Sequence, residues 1–139
     1  MPSSMKNPTL RTLTHSFALL GLLACSPDET ISGQADPAEV FALTSLNGAP
    51  VPANITISFP KKGQIAGMAP CNSYSAAQTA PLPWFEPGPI RATRRACPML
   101  TLETRYFDTL SAMEVIERKG GTLLLSAPDG RSLEFRQRL

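Results

Sequence analysis

The chain has 139 residues, 42% of them hydrophobic and 17% charged, with a formal net charge of +2. That length suits one domain, and the low, balanced charge excludes charge-driven disorder and a nucleic-acid binder that works through a strong basic field. Fourteen prolines and nine glycines exclude a helical bundle and point to short elements joined by turns.

The first 24 residues differ from the rest. Lys6 and Arg11 precede the apolar run Phe17 to Ala24, which falls short of the roughly 20 residues a membrane-spanning helix needs and matches the core of a signal peptide. The run closes on Leu22-Leu23-Ala24-Cys25, which resembles a bacterial lipobox. In that pattern the cysteine thiol is acylated and the cysteine becomes the first residue of the mature chain. The expectation is a lipoprotein signal over residues 1–24, lipidation (palmitate) at Cys25 and attachment to a membrane through that lipid. Ser26, rather than aspartate, follows Cys25; in a diderm bacterium this directs the protein to the outer membrane, facing the periplasm. Cleavage before Cys25 also removes His15, the only histidine, and so excludes Ser-His and Cys-His nucleophile pairs and the usual zinc sites. From Cys25 on, Lys and Arg equal Asp and Glu in number, so the basicity belongs to the signal.

Residues 25–37 are polar, without apolar periodicity, and read as a flexible tether to a domain over 38–139. Val40 to Leu43 reads as a first strand, closed by the turn signal Asn47-Gly48, with Ala49 to Pro52 an extended connection. Ile55, Ile57 and Phe59 alternate along a second strand. Pro60 to Gly63 turns the chain, and Gln64 to Met68 returns as a hairpin. A shorter strand runs from about Tyr74 to Thr79. Pro81, Pro83, Pro87 and Pro89 then bracket Trp84 and Phe85, an irregular edge strand with an aromatic plug rather than a proline-rich ligand motif. Met99, Leu102, Tyr106, Leu110 and Met113 fall on one face of a helix that starts near Pro98. Two hairpins finish the chain, turning at Gly120-Gly121 and at Pro128-Asp129-Gly130, with Leu133 and Phe135 on one side of the last strand. The pattern is mainly β with one α-helix: a small antiparallel sheet, curled or barrel-like.

Cys71 and Cys97 are an even pair in a chain expected to be exported, and read as a disulfide, with two free thiols or a metal pair as the alternatives. A bridge closing that loop would stabilise the domain by about 3.5 kcal/mol in the chain-entropy model. Arg91, Arg94 and Arg95 form a local basic cluster, read as a solvated strand face, with an anion or lipid-headgroup site as the alternative. The carboxylates are scattered, and no pair of them suggests glycosidase-type chemistry. No catalytic residue, metal site or cofactor is expected.

Several of these segments, in this order, carry a resemblance. Phe41-Ala42-Leu43 and Asn47-Gly48 open it; Ile65 to Pro70 leads into Cys71-Asn72-Ser73-Tyr74; Thr93-Arg94-Arg95-Ala96-Cys97-Pro98 supplies a second cysteine motif; Glu103, Phe107 and Leu110 mark the helix, and Leu123 and Leu125 the closing strand. Over Phe41 to Phe135 the sequence resembles the META domain family, which includes the HslJ-type heat-shock lipoproteins. It departs from the family in Phe41, where tryptophan is usual, and in Pro70, where glycine is usual. The resemblance implies a small barrel-like β domain with one helix, an envelope setting linked to stress, and no enzymatic activity. The function expected is therefore that of a lipid-anchored envelope protein that binds another envelope component. The alternatives are a carrier of an apolar ligand such as an acyl chain, with Tyr74, Trp84 and Phe85 at its mouth, or a secretion-pilot lipoprotein.

Overall fold

The structure is a computed structural model that describes residues 25–139; the signal read over residues 1–24 lies outside them. The strands are β1 (Val40–Leu46), β2 (Ala49–Pro50), β3 (Thr56–Ser58), β4 (Gln64–Met68), β5 (Ser73–Ala77), β6 (Arg91–Ala92), β7 (Val115–Lys119), β8 (Thr122–Ser126) and β9 (Ser132–Gln137), with one helix, α1 (Leu100–Ser111). They form a single antiparallel sheet in the order β6-β5-β4-β3-β1-β9-β8-β7, with β2 paired to β1. The first strand thus sits at the centre, and the last strand pairs back onto it.

Alternation determines which face turns inward. Phe41, Leu43, Ile57, Ile65, Leu123, Leu125, Leu133 and Phe135 are buried, while the residues between them face out or are partly covered. The turns follow their residues. Asn47 and Gly48 both have positive φ (51° and 79°), the pattern of a type I′ hairpin. At Gly120-Gly121 only Gly120 is positive, as in a type II′ turn. A register shift between Leu43 and Ser45 bulges Thr44 out of the β1–β9 ladder, where its hydroxyl donates to the Glu134 carbonyl.

The helix lies where its period placed it, but its buried face is rotated. Tyr106, Leu110 and Met113 are buried as expected, yet Glu103 and Thr109 join them, while Met99 and Leu102 are only half-buried. Thr109 is accommodated because its hydroxyl donates to the Arg105 carbonyl one turn back.

The sheet curls without closing into a true barrel. The proline-rich segment spans the gap between its edges: Gln78 bridges to Pro87, Trp84 bridges to Val115, and the Phe85 N–H donates to the Glu114 carbonyl. This segment is therefore a strap joining the β5 side to β7, rather than an edge strand. Phe85 is the plug, fully buried beneath it. Four prolines leave such a segment short of N–H donors, and the buried Gln78 amide holds it together. Its Nε2 donates to the Ala80 and Trp84 carbonyls, and its Oε1 accepts from the Glu86 N–H.

Residues 25–37 are not a tether along their whole length. Thr30 caps a 3-10 turn, Ile31–Gln34, whose Ile31 is buried in the core. The Leu82 N–H donates to the Glu29 carbonyl, and the Gly63 N–H to the Ser32 hydroxyl. One apolar side chain without periodic neighbours was enough to dock the segment. Its far end is fastened by a forked ion pair, Arg118 with both oxygens of Glu39 at 2.9 Å, and the guanidinium also lies over the Phe41 ring. The Arg118 hydrogen bonds, with the Asp36 N–H and the Arg118 charge, hold the Glu39 carboxyl below the usual carboxylate range.

The strap makes a testable contrast between neighbours. Phe85→Ala should cost about 3–5 kcal/mol in denaturant unfolding, because it empties a filled site. Trp84→Ala, on the outer side of the same strap, should cost about 0.5 kcal/mol or less. Equal losses would show that the strap does not close the core through Phe85.

Candidate functional site

The densest polar arrangement lies where the β4–β5 loop, residues 69–72, meets the first turn of α1. The loop places several backbone N–H groups close to the core, where each needs an acceptor. Glu103 supplies it: one carboxylate oxygen accepts from the Cys71 and Asn72 N–H groups at 2.8 and 2.9 Å, and the other from Asn72 Nδ2 at 2.6 Å. The Ala69 N–H bonds the Asn72 carbonyl at 2.7 Å. Position 70 is the one loop position whose N–H this scheme does not use, so proline, which has none, fits there. Asn72 works in both directions. Its Oδ1 accepts from the Thr93 hydroxyl and the Arg95 N–H, and its Nδ2 also donates to the Arg95 carbonyl. Cys71 and Cys97 are joined in a disulfide with their Cα atoms 5.6 Å apart, which ties the same loop to the chain entering α1. The thiol and metal-pair alternatives are thereby set aside.

Below this knot lie the only two tyrosines of the chain, both buried. The Tyr74 hydroxyl donates to the Thr56 carbonyl at 2.8 Å, so the 2.6 Å hydrogen bond between the two phenols has Tyr106 as donor. Phe107 packs edge-on against Tyr74. Desolvation pushes the Tyr74 phenol far above its ordinary range, with the hydrogen bond from Tyr106 opposing it. Desolvation likewise raises Tyr106, reinforced by the charge Tyr74 would carry and by the hydrogen bond Tyr106 donates.

These placements decide the expected ligand mouth. Tyr74 is engaged inside, Phe85 is fully buried, and Trp84 stands 53% exposed on the outer side of the strap. The three do not share an opening. Two are in the core because a small curled sheet fills its interior with side chains. The sequence showed three aromatics close to prolines, but alternation is broken there, so it held no signal for which of them point in.

Two grooves of about 430 Å³ lie on the surface. One is apolar, between the β1–β2 turn and the helix start, with Leu46, Val51, Pro98, Met99 and Leu102 among its walls and Arg105 at its rim. The other lies between the β3–β4 turn and β6, with Lys61, Lys62, Gln64, Ser75 and Arg91 along it. Among the described residues, no group of three His, Cys, Asp or Glu side chains converges as a metal site would require. Periodicity gives no sign of Glu103 or Gln78, which carry much of the structure here. The only sign of Glu103 was its match to the helix motif of the family resemblance.

A curled antiparallel sheet with one helix late in the chain, laced by a Cys-Asn loop to a helix glutamate, defines a class of small β domain. The META domain model matches residues 36–138, and the chain belongs to the META domain family. No curated protein matches the chain. Among solved structures it is similar to a protein determined by NMR, with 22% identity over 76% of this chain and 92% of that one and a TM-score of 0.60. It is similar to a second NMR structure, of a protein from Burkholderia xenovorans, with 18% identity, 97% and 99% coverage and a TM-score of 0.59. A crystal structure of a DUF4847-family protein from Bacteroides vulgatus matches at 13% identity over 59% of this chain and 57% of that one, TM-score 0.51. At these identities the likenesses establish the fold.

Two outcomes test the site's chemistry. Glu103→Gln places an amide N–H against the Asn72 Nδ2 donor or takes an acceptor from the loop N–H groups. It should destabilise the fold by about 1–3 kcal/mol, and an unchanged denaturation midpoint would refute the knot. The tyrosines give a pH dependence. Their folded pKa values are raised, so the stability they contribute is fully present below the unfolded value of about 10 and is lost as pH rises through the folded values. Tyrosinate absorbance should therefore appear together with unfolding, well above pH ~10. A smooth titration near pH ~10 in a chain that stays folded would contradict the buried pair.

Proposed function

We propose that this META-domain protein is a non-enzymatic, lipid-anchored envelope protein that acts by binding another envelope component. The observation that carries the reading is the position of Cys25. It follows the apolar run directly, it is exposed, and it stands only four residues before Glu29, whose carbonyl accepts from the Leu82 N–H and fastens the chain to the fold. Acylated there, the chain would hold the domain within a few residues of the bilayer, in the outer membrane facing the periplasm. A domain held at a surface meets the other components of that surface rather than a free substrate pool.

The interior supports a binding rather than a catalytic role. Its buried polar side chains are committed to structural partners: Glu103 to three N–H donors, Gln78 to the strap, and the two phenols to each other and to Thr56. General acid–base chemistry needs such a group within reach of a substrate. A part in envelope stress or maintenance is the role the family membership suggests.

Metabolic labelling with a palmitate analogue tests the anchor. Label should enter the wild-type chain and be lost in Cys25→Ala, which should also leave the membrane fraction. A wild-type chain without label, or a variant that keeps it, overturns the reading.

A further inference from the structure

The cations of the described chain are unevenly partnered. Arg118, Lys119, Arg131 and Arg136 each sit in a salt bridge, all on or beside β7–β9. Seven others make none among the described residues and are exposed: Arg105 on the helix, Arg138 after β9, which bonds Asn54, and Lys61, Lys62, Arg91, Arg94 and Arg95. The fold gathers the last five in the half of the sheet away from β7–β9. Lys61, Lys62 and Arg91 line one groove of about 430 Å³, together with Ser75. Arg91 also lines the next, shallower groove with Ser73 and Thr93. Thr93 in turn lines a third with Arg94 and Arg95. Because neighbouring grooves share Arg91 and Thr93, the cations and hydroxyls form one track along the β6 edge. Two carboxylates lie beside it: Glu103, occupied by three N–H donors, and Asp28, close enough to Lys62 to feel its charge.

The chain leaves the fold at the same place. Ser32 accepts from the Gly63 N–H within the β3–β4 turn that carries Lys61 and Lys62. Asp28 lies beside the same turn: against desolvation, hydrogen bonds from Ser32 and Thr30 and the Lys62 charge hold its carboxyl below the usual carboxylate range. Three residues of chain reach at most about 11 Å, so Cys25 lies within about that distance of Asp28. A lipid on Cys25 would set the Lys61-Lys62 end of the track against the bilayer.

We propose that this track binds the anionic phosphate headgroups of the phospholipid surface that holds the anchor, and so fixes the orientation of the domain on the membrane. The orientation rests on the lipid-anchor reading; the chemistry of the track does not. Exposed lysines and arginines beside an anionic bilayer add attraction roughly in proportion to their number. Ser73 and Ser75 place hydroxyl donors among the cations, suited to phosphate oxygens.

The unacylated chain from Cys25 on, which contains the whole described fold, provides the test, by co-sedimentation with vesicles of phosphatidylcholine alone or mixed with phosphatidylglycerol. Binding should require phosphatidylglycerol and weaken as salt is added. Lys61→Gln with Lys62→Gln and Arg91→Gln should weaken it by about fivefold per cation, on the order of a hundredfold together. The exchange Lys61→Arg, Lys62→Arg, Arg91→Lys should keep it. Three results overturn the proposal: equal binding to both vesicles or to neither, a triple variant that binds as before, or a Lys119→Gln, Arg136→Gln control that loses as much. Displacement by inorganic phosphate, but not by chloride at matched ionic strength, would instead identify a pocket for a single free anion and also refute the surface reading. Because the assay contains no acyl chain, its failure leaves the palmitate result standing, and a failed palmitate result leaves this one standing.

Discussion

A carboxylate taken out of water must be met by donors on its accepting oxygens, or the structure that buries it is penalised by several kcal/mol. Glu103 is met by three N–H donors of the Cys71-Asn72 loop, and much of the fold hangs on that exchange. The loop has no secondary structure to satisfy its own backbone, and the helix has no side-chain cap at Met99. Each irregular end is held by the other. The disulfide spans the same gap covalently. Asn72 then passes the constraint on to Thr93 and Arg95, which positions the chain leaving β6. The basic track along that edge is therefore held in place by a buried polar cluster, although none of its own side chains is buried.

The second constraint is the pair of sheet edges. An open antiparallel sheet presents unpaired N–H and C=O groups at both ends, a template for unwanted pairing. Here the strap from Gln78 to Pro89 covers part of both. It pairs with β5 through Pro87 and Gly88, and with β7 through Pro83, Trp84 and Phe85. Proline suits this task because a strap bonded on two sides at intervals needs fewer donors than a strand inside a ladder. What remains of the β6 edge is two residues long, and it carries Arg91. Short length and charge discourage strand addition there, and the same charge makes that edge a binding surface for anions.

The parts of the fold that were legible in the sequence are those in which one physical rule acts alone. Ile55, Ile57 and Phe59 alternate because they share the inward face of the strand, and all three are buried, with Thr56 and Ser58 on the other face. Asn47-Gly48 and the Gly120 turn read directly because few residues accept a positive φ. The membership in the META family was legible through the Cys-Asn and second cysteine motifs. Illegible were the residues whose placement depends on a distant partner. Glu103 looks like a solvated helix residue until the loop N–H groups 31 and 32 positions away are seen beside it. Ile31 stands alone in a polar stretch, and only the cavity it fills explains why that stretch is docked rather than slack. Trp84 and Phe85 are adjacent, so they point to opposite sides, but the prolines around them hide which side is in.

The inside and the outside of the domain divide the work of stability and recognition. Phe41, Phe59, Phe85, Phe135 and Tyr106 occupy the interior of the curl, so a guest acyl chain would have to displace side chains whose loss costs several kcal/mol each. An apolar ligand is instead left the groove beside Leu46, Val51 and Leu102, which is open to solvent on one side. Carriers enclose most of the ligand's surface, and an open groove does not. The basic track lies across the sheet from the partnered cations of β7–β9, and the chain exits toward Cys25 beside it. The Ile31–Gln34 turn fixes that exit against two parts of the fold at once, because Ser32 accepts from the Gly63 N–H of the β3–β4 turn and the Gln34 carbonyl accepts from the Arg118 guanidinium of β7.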